Sequence, residues 1–265
     1  MIRIAKTEVS KLKRYSVVWI GVATMLTVVL LTRFMATASD GAVHTLENFS
    51  NSVIWNNFSL IFPATITMIA GYIIERERVD DTLKNILTIP ITFRKLLAGK
   101  LIAVGGLSIL LAVIEFVFTM TVFFISRFPG FSFAGMMAAL FKKIGMNLFV
   151  YVAVLPIIIF TGQRAGNFMA GVGFSFFYGF IGTFASGHGL GNIYPITAGL
   201  SLINYQNGEM TAYNKVLSTG ILFFMFAVSN VMVLFSKNKV PTVKANKKVK
   251  KHVKSATVGV YQLEN

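Results

Sequence analysis

Mostly apolar stretches near 16–35, 53–74, 101–125, 145–162, 167–185 and 215–236 are each long enough to cross a bilayer core of about 30 Å as a helix rising about 1.5 Å per residue. Within hydrocarbon every backbone N–H and C=O must be satisfied internally, so such runs fold as helices, not as loops or open strands. The expectation is an all-α integral membrane protein of about six transmembrane helices. Composition agrees. Of the residues, 55% are hydrophobic and 13% charged, with a mean hydropathy of +0.69, too apolar to leave a soluble domain its polar shell. Three domains follow: 1–15, an amphipathic interfacial helix; 16–236, the membrane bundle; and 237–265, a basic tail.

A net charge of +15 would suggest nucleic acid in a soluble chain, but here its placement points to membrane lipid and no nucleic acid. Of the 25 Lys and Arg, only Arg33, Arg127, Lys142, Lys143 and Lys215 fall on one side of the six-span layout. The rest share the other side, which places both termini in the cytoplasm. Lys142 and Lys143 close an outer connection, 126–143, that is rich in Phe and Met and hugs the outer leaflet. The segment 184–213 is too short and Gly/Pro-broken for a seventh span, and is expected to dip in and return. Residues near Arg14 to Ala38 resemble a secretory signal in outline. The first fifteen residues carry their own pattern, however, so an uncleaved start is expected. Ile2, Ala5, Val9 and Leu12 share one helical face, Arg3, Lys11 and Arg14 the other, and Lys6, Glu8 and Lys13 flank the apolar side.

With no cysteine, disulfides and thiolate chemistry are excluded. No GxxxxGK[ST], HExxH, GxSxG or GxGxxG run occurs, so the chain shows no nucleotide site or catalytic motif of its own. His44, His188 and His252 do not fall at metal-ligand spacing.

The segment Glu75 to Lys100 is the most informative. Asp80 and Asp81 favour a helix start, Val79, Leu83, Ile86 and Leu87 form an apolar stripe, and Pro90 stops the turn. A short amphipathic helix outside the membrane results. Its stripe rests on lipid, or it fills a groove on a partner protein.

This loop resembles the signature region of permease subunits in the type 2 family of ABC exporters. There a second span ends in Glu-Arg-Glu, a coupling helix containing Thr-Leu follows, and a Pro-Ile-(Ser/Thr) run ending in Gly-Lys enters the third span. Glu75-Arg76-Glu77, Thr82-Leu83, Pro90-Ile91-Thr92 and Gly99-Lys100 stand at those positions, with Asp81 where a Gly is common. Together with the lead-in Glu8 to Trp19 and the six-span layout, the resemblance covers nearly the whole chain. The lead-in Glu8 to Arg14 and the length look most like permeases of lantibiotic-immunity and bacitracin-resistance systems. The resemblance implies a transport subunit, not an enzyme, that binds no cofactor itself. It implies a cytoplasmic ABC ATPase, in two copies, carrying ATP and Mg, a second permease, identical or related, and a bacterial plasma membrane. ATPase coupling would fall to Glu75, Glu77, Val79, Thr82, Leu83, Ile86, Leu87 and Pro90, with Gln163 and Arg164 as a second contact.

Glu115 is the one acidic residue deep in a span, at a cost of roughly 2.5 to 3.5 kcal/mol on insertion scales unless it faces the bundle interior or is protonated. It is either a hydrogen-bonded packing residue or a contact for cationic cargo, with Thr119 its local partner at i+4. The run Phe174, Phe176, Phe177, Tyr178 and Phe180 reads as packing or lipid-facing surface. A secondary transporter would need repeats and several intramembrane charges. An intramembrane enzyme would need paired catalytic groups. A sensor or anchor using the same amphipathic peg remains a further reading.

Overall fold

The apolar runs are helical in the computed structural model, which describes residues 2–12, 15–38, 44–79, 92–163, 166–206 and 213–236, the side chains of 2, 3, 5 and 77–79 excepted. The elements are α1 (Ile2–Leu12), α2 (Val17–Met35), α3 (Leu46–Asn56), a π-turn (Asn57–Ile61), α4 (Phe62–Val79), α5 (Phe93–Ile125), α6 (Phe133–Gly162), α7 (Phe168–Gly187), α8 (Pro195–Leu202) and α9 (Lys215–Phe235). Six helical stretches have the length and hydropathy to cross a membrane, α3 through α4 counting as one. No strand occurs among the described residues.

Three spans are longer than their apolar runs suggest. The second begins at Leu46, the third at Phe93 and the fourth at Phe133. Most of the expected outer connection 126–143 is therefore helix, and Lys142 and Lys143 lie on α6. A hydropathy run stops at the first charge, whereas a helix continues through a charge that finds a partner.

The α3–α4 span carries a widened turn for a local reason. Pro63 has no N–H to give the Ser59 carbonyl one turn back, and its ring crowds that carbonyl. The helix widens just ahead of it, with the Phe62 N–H bonded to the Asn57 carbonyl, a π-type bulge. The loosened backbone meets α7 at Gly179, where an added Cβ would lie 2.7 Å from the Ser59 carbonyl oxygen and 3.1 Å from that of Phe58. Gly179 belongs to a buried stripe with Gly171, Ser175 and Gly182, and the Thr67 hydroxyl donates to Ser175 Oγ at 2.8 Å. Small residues and one polar contact substitute here for a hydrophobic driving force that lipid does not supply. The phenylalanines of α7 point the other way, Phe174 being 70% and Phe177 62% exposed.

The span α4 is the centre of the bundle, with Ile66, Ile69, Ala70 and Ile73 fully enclosed by α2, α5, α6 and α7. Gly21 brings α2 close, its Cβ position 2.9 Å from Ile69. The short helix α8 buries Ile196, Ala198 and Leu200 and sets Gly199 against Phe149 and Met146 of α6, so this part of the segment packs into the bundle. It ends on the buried Tyr205, which stacks on Trp55 at 5.9 Å.

The face of α1 turned to the bundle agrees with the expected one at Leu12 and departs from it at Val9. Glu8 and Leu12 are buried, Ile4 packs on the core, and Val9 is 45% exposed. The cause is electrostatic. Glu8 lies 2.7 Å from Lys11 and 3.6 Å from the buried Lys100 of α5, which compensates its desolvation and rotates the apolar Val9 outward.

Candidate functional site

Two polar constructions stand out against this apolar frame. The first lies inside the spans. Glu115 on α5, Lys143 and Asn147 on α6 and Asn57 at the head of the π-turn are all buried. Counted along the helices, they lie about 15–21 Å from the ends of α3, α5 and α6 that are remote from residues 80–91, at about 1.5 Å per residue. The Lys143 ammonium donates to Glu115 Oε1 at 2.8 Å. The amides of Asn57 and Asn147 donate to Glu115 Oε2 at 2.7 and 3.2 Å, and Asn57 also donates to Asn147 Oδ1 at 3.0 Å. The carboxyl thus receives three donors from two neighbouring helices, and the charged pair is neutral as a unit. In a low dielectric such a pair is tolerable only with this saturation.

Three spans are tied at one depth, α3–α4 through the residue that opens its π-turn. Thr119 is adjacent but plays another part. Its hydroxyl donates to the Glu115 backbone carbonyl at 2.7 Å, so the carboxylate's partners come from other helices, not from i+4. Lys143 escapes a reading of the sequence that starts the span after the Lys142-Lys143 pair, and the two asparagines, though inside expected spans, carry no charge to mark them. Helical phase would have separated the two lysines. Lys143 shares a face with Asn147, Val150 and Val154, all buried, whereas Lys142 turns away to Glu47 at 3.4 Å.

The second construction braces the end that carries most of the cations. The Lys100 ammonium donates to the Ile73 carbonyl at 2.7 Å and faces Glu8, joining α5, α4 and α1. Glu75, buried, accepts the Gly166 N–H from the turn after α6. Its other oxygen has no partner among the described residues. Arg76 donates to the Tyr72 hydroxyl at 3.0 Å and stands 4.5 Å from the Tyr15 ring centre, fastening the α1–α2 joint to α4. Gly166 has φ +80°, a left-handed conformation that suits glycine, and this aims its N–H at Glu75.

Of the residues expected to couple to an ATPase, Glu75 is thus placed beside the α6–α7 turn. Gln163 is the C-terminal cap of α6, in the turn that leads to Gly166. Glu77 and Val79 lie in α4 with side chains outside the description, and Thr82, Leu83, Ile86, Leu87, Pro90 and Arg164 lie outside the described residues.

Six apolar helices, pinned by a buried charge pair and braced at one end, define a polytopic α-helical membrane protein. The family described as ABC-2 family transporter protein matches residues 4–182, from α1 into α7, and the chain belongs to that family. It is a multi-pass membrane component of an ABC transporter, a class served by a partner ATPase. No curated protein matches it as a relative.

Proposed function

We propose that this chain is the permease half of an ATP-driven exporter, moving antimicrobial or amphipathic peptides or related hydrophobic compounds out of the cell or its membrane. Two such permeases, identical or related, join two cytoplasmic ABC ATPases, which carry ATP and Mg; the permease binds neither. The chain lies in a bacterial plasma membrane with both termini in the cytoplasm. The apolar stripe of Val79, Leu83, Ile86 and Leu87, framed by Glu75, Glu77, Thr82 and Pro90, seats in an ATPase groove, and Gln163 with Arg164 forms a second contact.

The observation that supports this reading is the bracing on both sides of residues 80–91. Glu75 is held by Gly166, and Lys100 holds Ile73 and faces Glu8. A displacement of the intervening segment is therefore delivered to α1, α4, α5 and the α6–α7 turn together, as rigid-body switching requires. The Glu115–Lys143 pair meets one requirement of a secondary transporter, an intramembrane charge. The lysine already neutralises that carboxylate, and family membership favours the ABC reading. The test is ATPase activity of the reconstituted protein with whatever co-purifies, native against Leu83→Asp/Ile86→Asp. Stoichiometric ATPase, lost in the double variant, is expected; a folded protein that never recovers an ATPase overturns the reading.

A further inference from the structure

A groove of about 270 Å³ runs between α5 and α9 with α6 as its floor. Ala98, Leu101 and Gly105 form one wall, Phe226 and Val233 the other, and the Tyr151 ring lies at the bottom. The helices α5 and α9 touch each other little, each resting mainly on α6, which leaves the slot open along its length. Its side-chain donors are already engaged. The Tyr151 hydroxyl donates to the Leu101 carbonyl at 2.6 Å, Ser229 to the Met225 carbonyl and the Asn230 amide to the Phe226 carbonyl, both at 2.8 Å. The interior therefore offers contact to hydrocarbon.

The mouth has the opposite character. Arg94 and Lys95 are exposed one turn before Ala98, on the groove's side of α5 by helical phase. Arg94 Nε reaches the Ser236 carbonyl at the end of α9 at 3.4 Å, so its guanidinium closes the slot where the two helices end. Neither cation forms an ion pair among the described residues. From Arg94 to Gly105 the helix rises about 16 Å, and from Phe226 to Ser236 about 15 Å, at about 1.5 Å per residue. That is half of a hydrocarbon core of about 30 Å, the depth of one leaflet.

We infer that this groove is a binding site for one anionic phospholipid of the leaflet at the basic end, its phosphate held by Arg94 and Lys95 and an acyl chain laid on Tyr151 between α5 and α9. Charge complementarity selects this occupant: two exposed cations without an ion pair among the described residues stand at the mouth of an apolar slot one leaflet deep, which matches a phosphate joined to an acyl chain.

Native mass spectrometry of the full-length protein, delipidated in detergent and titrated with phosphatidylglycerol or phosphatidylcholine of identical chains, tests this. Phosphatidylglycerol should bind with one tight site and phosphatidylcholine much more weakly. Arg94→Gln/Lys95→Gln should weaken phosphatidylglycerol roughly ten- to thirtyfold, a few-fold per cation lost. Ala98→Trp, which fills the slot from a half-exposed position and leaves both cations in place, should abolish the tight site. Equal binding of the two lipids, or retention of the tight site in Ala98→Trp, overturns the inference. Conversion of a dimer to monomer by Ala98→Trp with lipid binding intact overturns it too, and assigns the groove to a second permease. A circular dichroism melt of each variant separates these outcomes from misfolding.

Discussion

At the scale of single residues, the Glu115–Lys143 pair shows what a buried charge demands of its surroundings. Removing one member leaves the other desolvated without its counter-charge, a change that costs about 3–5 kcal/mol in buried pairs. Glu115→Gln and Lys143→Met are each expected to lower the thermal midpoint of the detergent-solubilised protein sharply. The double variant should lose much less than the sum, since two neutral groups replace two charges. Strict additivity in this cycle would show that the two side chains do not act as a unit. Glu115 was legible in the sequence because a carboxyl in an apolar run is conspicuous and must face inward. Lys143 was not, because a lysine beside another lysine, Lys142, looks like the end of a span; only the third dimension reveals that one of them points at a carboxylate 28 positions earlier.

At the scale of elements, the contact between α4 and α7 is set by a proline on one helix and a glycine on the other. Pro63 opens the π-turn, and Gly179 is the residue small enough to lie on the exposed carbonyls. A Cβ at Gly179 would enter backbone, which cannot step aside as a side chain can. Gly179→Ala is therefore expected to destabilise by about 1–3 kcal/mol, as overpacking does. Gly173→Ala, on the same helix with open space at its Cβ position, should instead raise stability by up to about 1 kcal/mol through the lower conformational entropy cost of alanine. Opposite signs in parallel thermal melts would establish close packing as the cause; equal shifts would reduce the effect to helix propensity. The existence of α7 was readable from its apolar run, and the outward phenylalanines agree with the lipid-facing reading. The small-residue stripe opposite them carries little hydropathy signal, so the packing partner was hidden. The burial of Glu8 on α1 was likewise hidden, because one of the two cations beside it, Lys100 of α5, is distant in sequence.

At the scale of the whole molecule, the count of spans and the bias of cations were both legible because they depend on sums over many residues, where a single concealed charge matters little. Moving Lys143 from a loop to the bundle interior leaves the bias intact, since one side still holds Arg33, Arg127, Lys142 and Lys215 against the many cations of the other. The expected topology has an even number of spans, with α1 and the basic tail on the cytoplasmic side and the α2–α3 and α7–α8 connections outside. The chain contains no cysteine, so single introduced thiols report position without background. Thr37→Cys and Leu190→Cys, at exposed sites beyond α2 and α7, should react with a membrane-impermeant maleimide added to intact cells. Ser10→Cys on the exposed side of α1 should react only after permeabilisation. Labelling of Ser10→Cys in intact cells, with Thr37→Cys and Leu190→Cys protected, would invert the molecule and place the braced end away from any cytoplasmic ATPase. The pattern expected from the charges sets Glu75, Lys100 and the α6–α7 turn where such a partner can push on them.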